Sequence, residues 1–104
     1  MIITTTETIA GKTIEEVLGI VEGDIVMSKH IGSDFAAGLR NLVGGEVRGY
    51  TDMMDKARKE AVSRMVENAK KMGADAIVGM RYGSSAIMAS ASEMLAYGTA
   101  VKLK

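Results

Sequence analysis

His30 is the only histidine in the chain, and Asp34 follows it four residues later. An imidazole and a carboxylate are both ligands for a divalent cation, but a metal site ordinarily needs three or four donors. One His and one Asp with Gly32 between them complete such a site only if a ring of identical subunits presents several copies. On its own, His30 reads as a polar residue at a strand end. Cysteine is absent, which excludes thiolate metal sites, cysteine nucleophiles and disulfides. Nine methionines supply thioethers of the kind that hold Cu(I). Met54, Met65 and Met72 fall on the apolar side of a helical pattern, however, and Met80 and Met94 fall within strands. Core filling explains these five better.

Two glycine motifs invite comparison with phosphate-binding loops. Gly11-Lys12-Thr13 has the ending of a P-loop, whose backbone amides wrap phosphate only when a further glycine stands five residues before. Thr6 occupies that position, so a turn between two strands is the better reading. Gly44-Gly45 with Gly49 follows a helical segment rather than a strand, unlike a dinucleotide fingerprint. A helix start follows at Thr51, so the loop is placed to cradle an anion, with Arg40, Arg48 and Arg58 nearby in sequence. A helix cap and a link explain the same glycines. No serine has a base other than His30 to activate it, and the nucleophile-elbow motif is absent. An enzymatic function is therefore not supported.

The composition narrows the rest. At 104 residues the chain is expected to be one domain. Thirteen basic residues balance thirteen acidic ones and only four residues are aromatic, so neither nucleic acid nor an anionic membrane surface is an expected partner. No apolar run approaches the ~20 residues of a membrane span. The start Met1-Ile2-Ile3-Thr4-Thr5-Thr6 lacks the basic and apolar regions of a signal peptide. A cytoplasmic location is the expectation.

The elements that must position any site follow from periodicity. Residues 14–29 are rich in Val and Ile and predict a strand, bent near Gly19 and Gly23. Residues 33–43 predict a short helix capped by Ser33 or Asp34, with Phe35, Leu39 and Leu42 on one side. Thr51 or Asp52 is placed to cap a long helix reaching Met72. Its apolar positions are Met54, Ala57, Ala61, Met65, Ala69 and Met72. Its other side carries Asp52–Lys56, Asp55–Lys59, Glu60–Arg64 and Glu67–Lys71 at i, i+4. Gly73 stops the helix. A strand is expected over 75–82, then a small-residue connection over 83–92, with a strand extension through Ile87 and Met88 as the alternative, then a last strand over 93–103. The order is β-α-α-β-β, an α+β fold ending in a hairpin.

The strands are apolar on both sides. Leu95, Tyr97, Thr99, Val101 and Leu103 alternate with Met94, Ala96, Gly98 and Ala100. On the preceding strand Ala76, Val78 and Met80 alternate with Ile77 and Gly79. One long helix covers one face of such a sheet, and the other must meet something else. Self-association is the common solution.

Several segments together resemble the YbjQ-like family. They are the N-terminal Met1 to Thr6, Ser33-Asp34 through Asn41, Gly44-Gly45, Tyr50, Ala57-Arg58, and Gly73 through Gly79. That family comprises small bacterial and archaeal proteins of unassigned function, described as candidate heavy-metal binders. The resemblance spans nearly the whole chain. It implies a dodecin-like β-α-β-β subunit, with one long helix on a small mainly antiparallel sheet, in a ring-shaped homo-oligomer, most naturally a homopentamer. It carries over Asp34, Asn41, Gly44, Gly45, Tyr50, Arg58 and Gly73 as family-like positions, with Arg58 placed to pair with Asp34 or Glu46. The functional expectation is a ring holding a small ligand or a divalent metal ion at its subunit interfaces. Arg40, Asn41, Glu46, Tyr50 and Arg58 would make the polar contacts, with His30 and Asp34 on the metal side. The alternative is a scaffold whose ring is itself the functional product.

Overall fold

A computed structural model describes residues 1–28, 48–88 and 91–104. Its elements are β1 (Ile2–Ile3), β2 (Ile14–Ser28), α1 (Arg48–Lys71), β3 (Ala76–Met88) and β4 (Ala91–Leu103). The expected helix over 33–43 and the glycine loop after it lie outside the described residues. The four strands form one sheet in the order β1-β3-β4-β2. β4 runs antiparallel to both of its neighbours, and β1 lies parallel to β3. The fold is α+β as expected, with the last two strands antiparallel neighbours. The short N-terminal strand is an addition to the expected order.

α1 begins at Arg48, so Thr51 and Asp52 lie within its first turns and not at its cap. A boundary read from a capping side chain errs by a few residues whenever the helix runs on past it. The buried stripe is Ala57, Ala61, Met65 and Ala69, all 3% exposed or less. Their spacing of four keeps them on one side of the helix. Three of the four are alanines, which lets the helix axis come close to the sheet. The approach is closest at Gly23, where an added Cβ would lie 2.2 Å from the Met65 nitrogen and 2.4 Å from the Ala61 oxygen. Only a residue without a side chain fits there.

The helix closes as its sequence predicts. Gly73 adopts φ +81°. Its N–H donates to the Lys70 carbonyl at 3.0 Å, and the Ala74 N–H donates to that of Ala69 at 3.1 Å. This paired arrangement satisfies carbonyls that the helix end would otherwise leave open. Met72 falls past the end of α1 and is 36% exposed, so it leaves the core stripe to which its spacing assigned it. On the solvent side Lys59 pairs with Asp55 at 2.9 Å and Arg64 with Glu60 at 3.2 Å. Among the described residues Asp52 and Lys56 form no ion pair, and Glu67 meets Lys70 at 3.9 Å in place of Lys71. Long exposed side chains choose between i+3 and i+4 partners at little energetic difference.

The face under α1 is built from Val21, Met27, Ile77, Met80, Met94, Ala96 and Ala100. Met80 corrects the expected alternation, which put it with Ala76 and Val78. The β3–β4 register passes from Val78↔Thr99 to Arg81↔Tyr97, so β3 carries one extra residue. Gly79, at φ +61°, supplies the conformation this bulge needs. Met80 therefore turns under the helix and Arg81 turns to the opposite face. β3 also runs on to Met88, through the small residues expected to be a connection. Pairing with β4, at Gly83↔Leu95 and Ser85↔Glu93 among others, overrides the weak strand preference of Gly and Ser.

Among the described residues the opposite face is covered only in part. Ala76, Val78 and Val101 are buried there together with Ile9, Ile14 and Leu103, beneath the segment that links β1 to β2. Further along the same face Val17 is 64% exposed, Ile20 79%, Val26 54% and Tyr97 39%. The molecule extends 53 Å in its longest dimension, with a radius of gyration of 16.8 Å. A compact domain of about 100 residues has a radius near 13 Å. Strands of 13 residues at about 3.3 Å per residue set the long axis, and one helix of 24 residues does not cover them.

Candidate functional site

The residues singled out by sequence do not converge among the described residues. His30, Asp34, Arg40, Asn41 and Glu46 lie outside them. Tyr50 is in the first turn of α1. Arg58 stands on the helix surface, where its Nη2 is 3.8 Å from the Asp55 carboxylate; the expected pairing with Asp34 or Glu46 falls on residues outside the described ones. Gly11-Lys12-Thr13 is a turn, as expected. Gly11 has φ +77°, the Lys12 N–H donates to the Ile9 carbonyl at 3.1 Å, and β2, not a helix, follows.

A cleft of about 460 Å³ opens on the second sheet face instead. Its apolar wall is Ile14, Val17, Val78 and Val101, and its polar groups come from Glu7, Arg81 and Thr99. Its volume falls within the range of small-molecule sites. The N-terminal segment is bonded to β3 just where the bulge occurs. The Gly79 N–H donates to the Thr6 carbonyl at 2.8 Å, and the Met80 N–H donates to that of Thr4 at 3.0 Å. Arg81 Nη1 then donates to the carbonyls of Thr5 at 2.9 Å and Met80 at 2.8 Å. The guanidinium is thereby fixed by two main-chain acceptors on one nitrogen, and among the described residues its Nε and Nη2 have no hydrogen-bond acceptor. Among the described residues neither Arg81 nor Glu7 belongs to an ion pair.

Sequence reasoning missed this cleft. Its only signal is a charged residue, Arg81, within an otherwise apolar strand. Which face that residue occupies depends on the bulge, and nothing in the local sequence places Glu7 beside it.

A second polar feature lies on the same face, toward the other end of β2. Asp24 pairs across the sheet with Leu95, and Val26 with Glu93, so Asp24 and Glu93 are diagonal neighbours. The Asp24 carboxyl, hydrogen-bonded to Glu93, pushes the Glu93 carboxyl above its ordinary range. Desolvation and the charges of Asp24 and Glu22 add to the effect.

Comparison with known proteins places the chain in a family. The family model described as "Putative heavy-metal-binding" matches residues 1–104. A UPF0145 protein of Thermotoga maritima is 57% identical over 104 residues, which are 100% of this chain and 98% of the relative. A UPF0145 protein of Vibrio parahaemolyticus is 61% identical over 103 residues, covering 99% and 98%. A crystal structure from Pediococcus pentosaceus, of a DUF74-family protein of unknown function, superposes with a TM-score of 0.66. It covers 100% of this chain and 98% of its own at 21% identity, and shows the same fold. The chain belongs to the YbjQ-like, UPF0145 family.

The donor set fits a heavy metal poorly. Soft ions are selected by thiolate and imidazole, and this chain has no cysteine and a single histidine. Among the described residues no three or more His, Cys, Asp or Glu side chains are grouped to hold a metal ion. Asp24 and Glu93 offer only carboxylate oxygens. Also among the described residues, no helix is long and apolar enough to cross a membrane.

Proposed function

We propose that this member of the YbjQ-like family is a homo-oligomeric binding protein that holds a small ligand where its subunits meet. The observation that carries the reading is the partly covered second face of the sheet. Val17, Ile20 and Tyr97 are exposed near one another on it, in the register of adjacent strands β2 and β4, and exposed Val26 lies beyond Glu22 and Asp24. Contiguous apolar surface of this kind marks an interaction site. A repeated contact between identical subunits, closing as a ring, would cover it in every copy. A homopentamer is the stoichiometry to test first, on the family resemblance.

The ligand reading follows from position. Val17 belongs both to the exposed strip and to the wall of the cleft. A subunit seated on the strip would lie at the mouth of the cleft and make it an interface site. A small organic ligand suits the apolar wall and the anchored guanidinium better than a bare metal ion, for which the described donors are too few. The scaffold alternative keeps the ring and dispenses with the ligand.

Native mass spectrometry of freshly purified protein tests the reading. A multimeric mass carrying an excess above the bare chains supports a binding protein. A multimer equal to its bare chains, which then stays silent toward added ligands, supports the scaffold. A monodisperse monomer at micromolar concentration overturns both.

A further inference from the structure

We infer that the cleft between the N-terminal segment and the second sheet face receives a free apolar α-amino acid, with Arg81 taking the carboxylate and Glu7 the ammonium group. The inference rests on the reading of the protein as a small-ligand binder and names the class of ligand. Four features of the cleft carry it. Its wall of Ile14, Val17, Val78 and Val101 is aliphatic and calls for an apolar body. Arg81 lines the cleft and is held through Nη1 by two main-chain carbonyls, so its donors besides Nη1 are Nε and Nη2. Together these two are a two-pronged donor matched to a carboxylate. Glu7 supplies the opposite charge to the same cleft, and among the described residues neither group is neutralised by an ion-pair partner.

Both charges are exposed and open to a ligand that pairs with each. A simple fatty acid would satisfy Arg81 and place its carboxylate in the field of Glu7. A simple amine would pair with Glu7 and gain nothing from Arg81. A zwitterion answers both at no net charge. Thr99, from β4, adds a hydroxyl that both donates and accepts. Because recognition is by two opposed polar groups, removing either from the ligand leaves a protein charge without its partner.

Isothermal titration of the full chain with leucine and phenylalanine tests the inference. The two truncated analogues of leucine serve as comparisons: 3-methylbutylamine lacks the carboxylate and 4-methylpentanoate lacks the amine. The expected result is saturable binding of the amino acids, at least tenfold tighter than either analogue. Glu7→Gln should weaken leucine about tenfold and leave 4-methylpentanoate unchanged or improved. Arg81→Lys keeps the charge but loses the fork, and should weaken both carboxylates. Glu7 is exposed, so its variant should retain the wild-type melting temperature, and that separates lost binding from lost folding. Absence of heat at about 10 mM amino acid, well beyond the weak end of the affinity scale, overturns the inference, as does equal binding of leucine and its analogues. Native mass spectra of the same samples separate the two readings. A multimer carrying an unrelated mass sinks the amino-acid assignment and keeps the binding protein. A ligand-free multimer that gives no heat with leucine keeps the scaffold and overturns the amino-acid assignment. Amino-acid binding by a monomer keeps the assignment and sinks the interface.

Discussion

The guanidinium of Arg64 donates from Nη1 to the main-chain carbonyl of Asp24 at 2.8 Å. One turn further along α1, Asn68 Nδ2 donates to the carbonyl of Glu22, also at 2.8 Å. Among the described residues β2 is the outermost strand of the sheet and pairs only with β4. Its outer carbonyls would otherwise be open to another strand. Two helix side chains thus occupy acceptors on an edge that natural proteins ordinarily protect. Glu60 steadies Arg64 from the previous turn, through Nε at 3.2 Å.

Replacing Arg64 or Asn68 with Ala is expected to cost about 1 kcal/mol each, the usual net worth of such a bond. The double variant should also associate more readily through its edge. Urea denaturation measures the first effect, and light scattering on warming measures the second. Unchanged scattering in the double variant would show that the edge is protected by something other than these two side chains.

Gly23→Ala should be far more damaging than its single methyl suggests. The new Cβ would meet main-chain atoms of α1 at 2.2 and 2.4 Å, and a helix backbone cannot turn aside as a side-chain tip can. A loss of about 3 kcal/mol, at the upper end for overpacking, is expected in a denaturant melt. Gly83→Ala is the control. The nearest atom to its new Cβ is Tyr97 Cε1 at 4.0 Å, so its stability should stay within about 0.5 kcal/mol.

Met65→Ala removes one of the largest fully buried side chains. A cost of about 2–5 kcal/mol follows from lost burial and the cavity left behind. A shift in the denaturation midpoint with an unchanged slope would confirm that packing alone was altered.

Ile20→Asp tests assembly without touching the core. Ile20 is 79% exposed, so a monomer should lose less than about 0.5 kcal/mol. A charge placed in the apolar strip should nevertheless dissociate the multimer proposed above. Size-exclusion chromatography with light scattering reads the result, and an intact multimer would move the interface elsewhere.

The Asp24–Glu93 pair predicts a specific pH dependence. The carboxyl of Glu93 is raised above its ordinary value of 4.5, so the folded state holds a proton that the unfolded chain has released. Its contribution to stability therefore grows as pH falls from neutrality toward about 4.5 and is lost as pH rises through the folded value. Glu93→Gln should flatten this component. Melting temperatures of the two proteins across that range should converge at the acid end and differ most near neutrality, with the variant the more stable. Parallel curves would mean that the pair does not share a proton.

Much of the architecture was legible in the chain. The alanine and methionine spacing from Ala57 to Ala69 marked the buried side of α1, because a period of 3.6 residues leaves little choice of face. Gly73 marked its end, because only a residue free to take positive φ closes a helix that way. The alternation along β4 separated Ala96 and Ala100 from Tyr97 and Val101, because successive strand residues point to opposite sides. The single bulged residue at Gly79 was not legible. It moves Met80 under the helix and Arg81 to the other face, through a main-chain register set by β4 and by the carbonyls of Thr4 and Thr6. The tertiary structure alone decided that Glu7 and Arg81, 74 positions apart, line one cleft. Local sequence records which groups are present and how often they recur. Bringing distant groups to one place is the work of strand order, which long-range pairing determines.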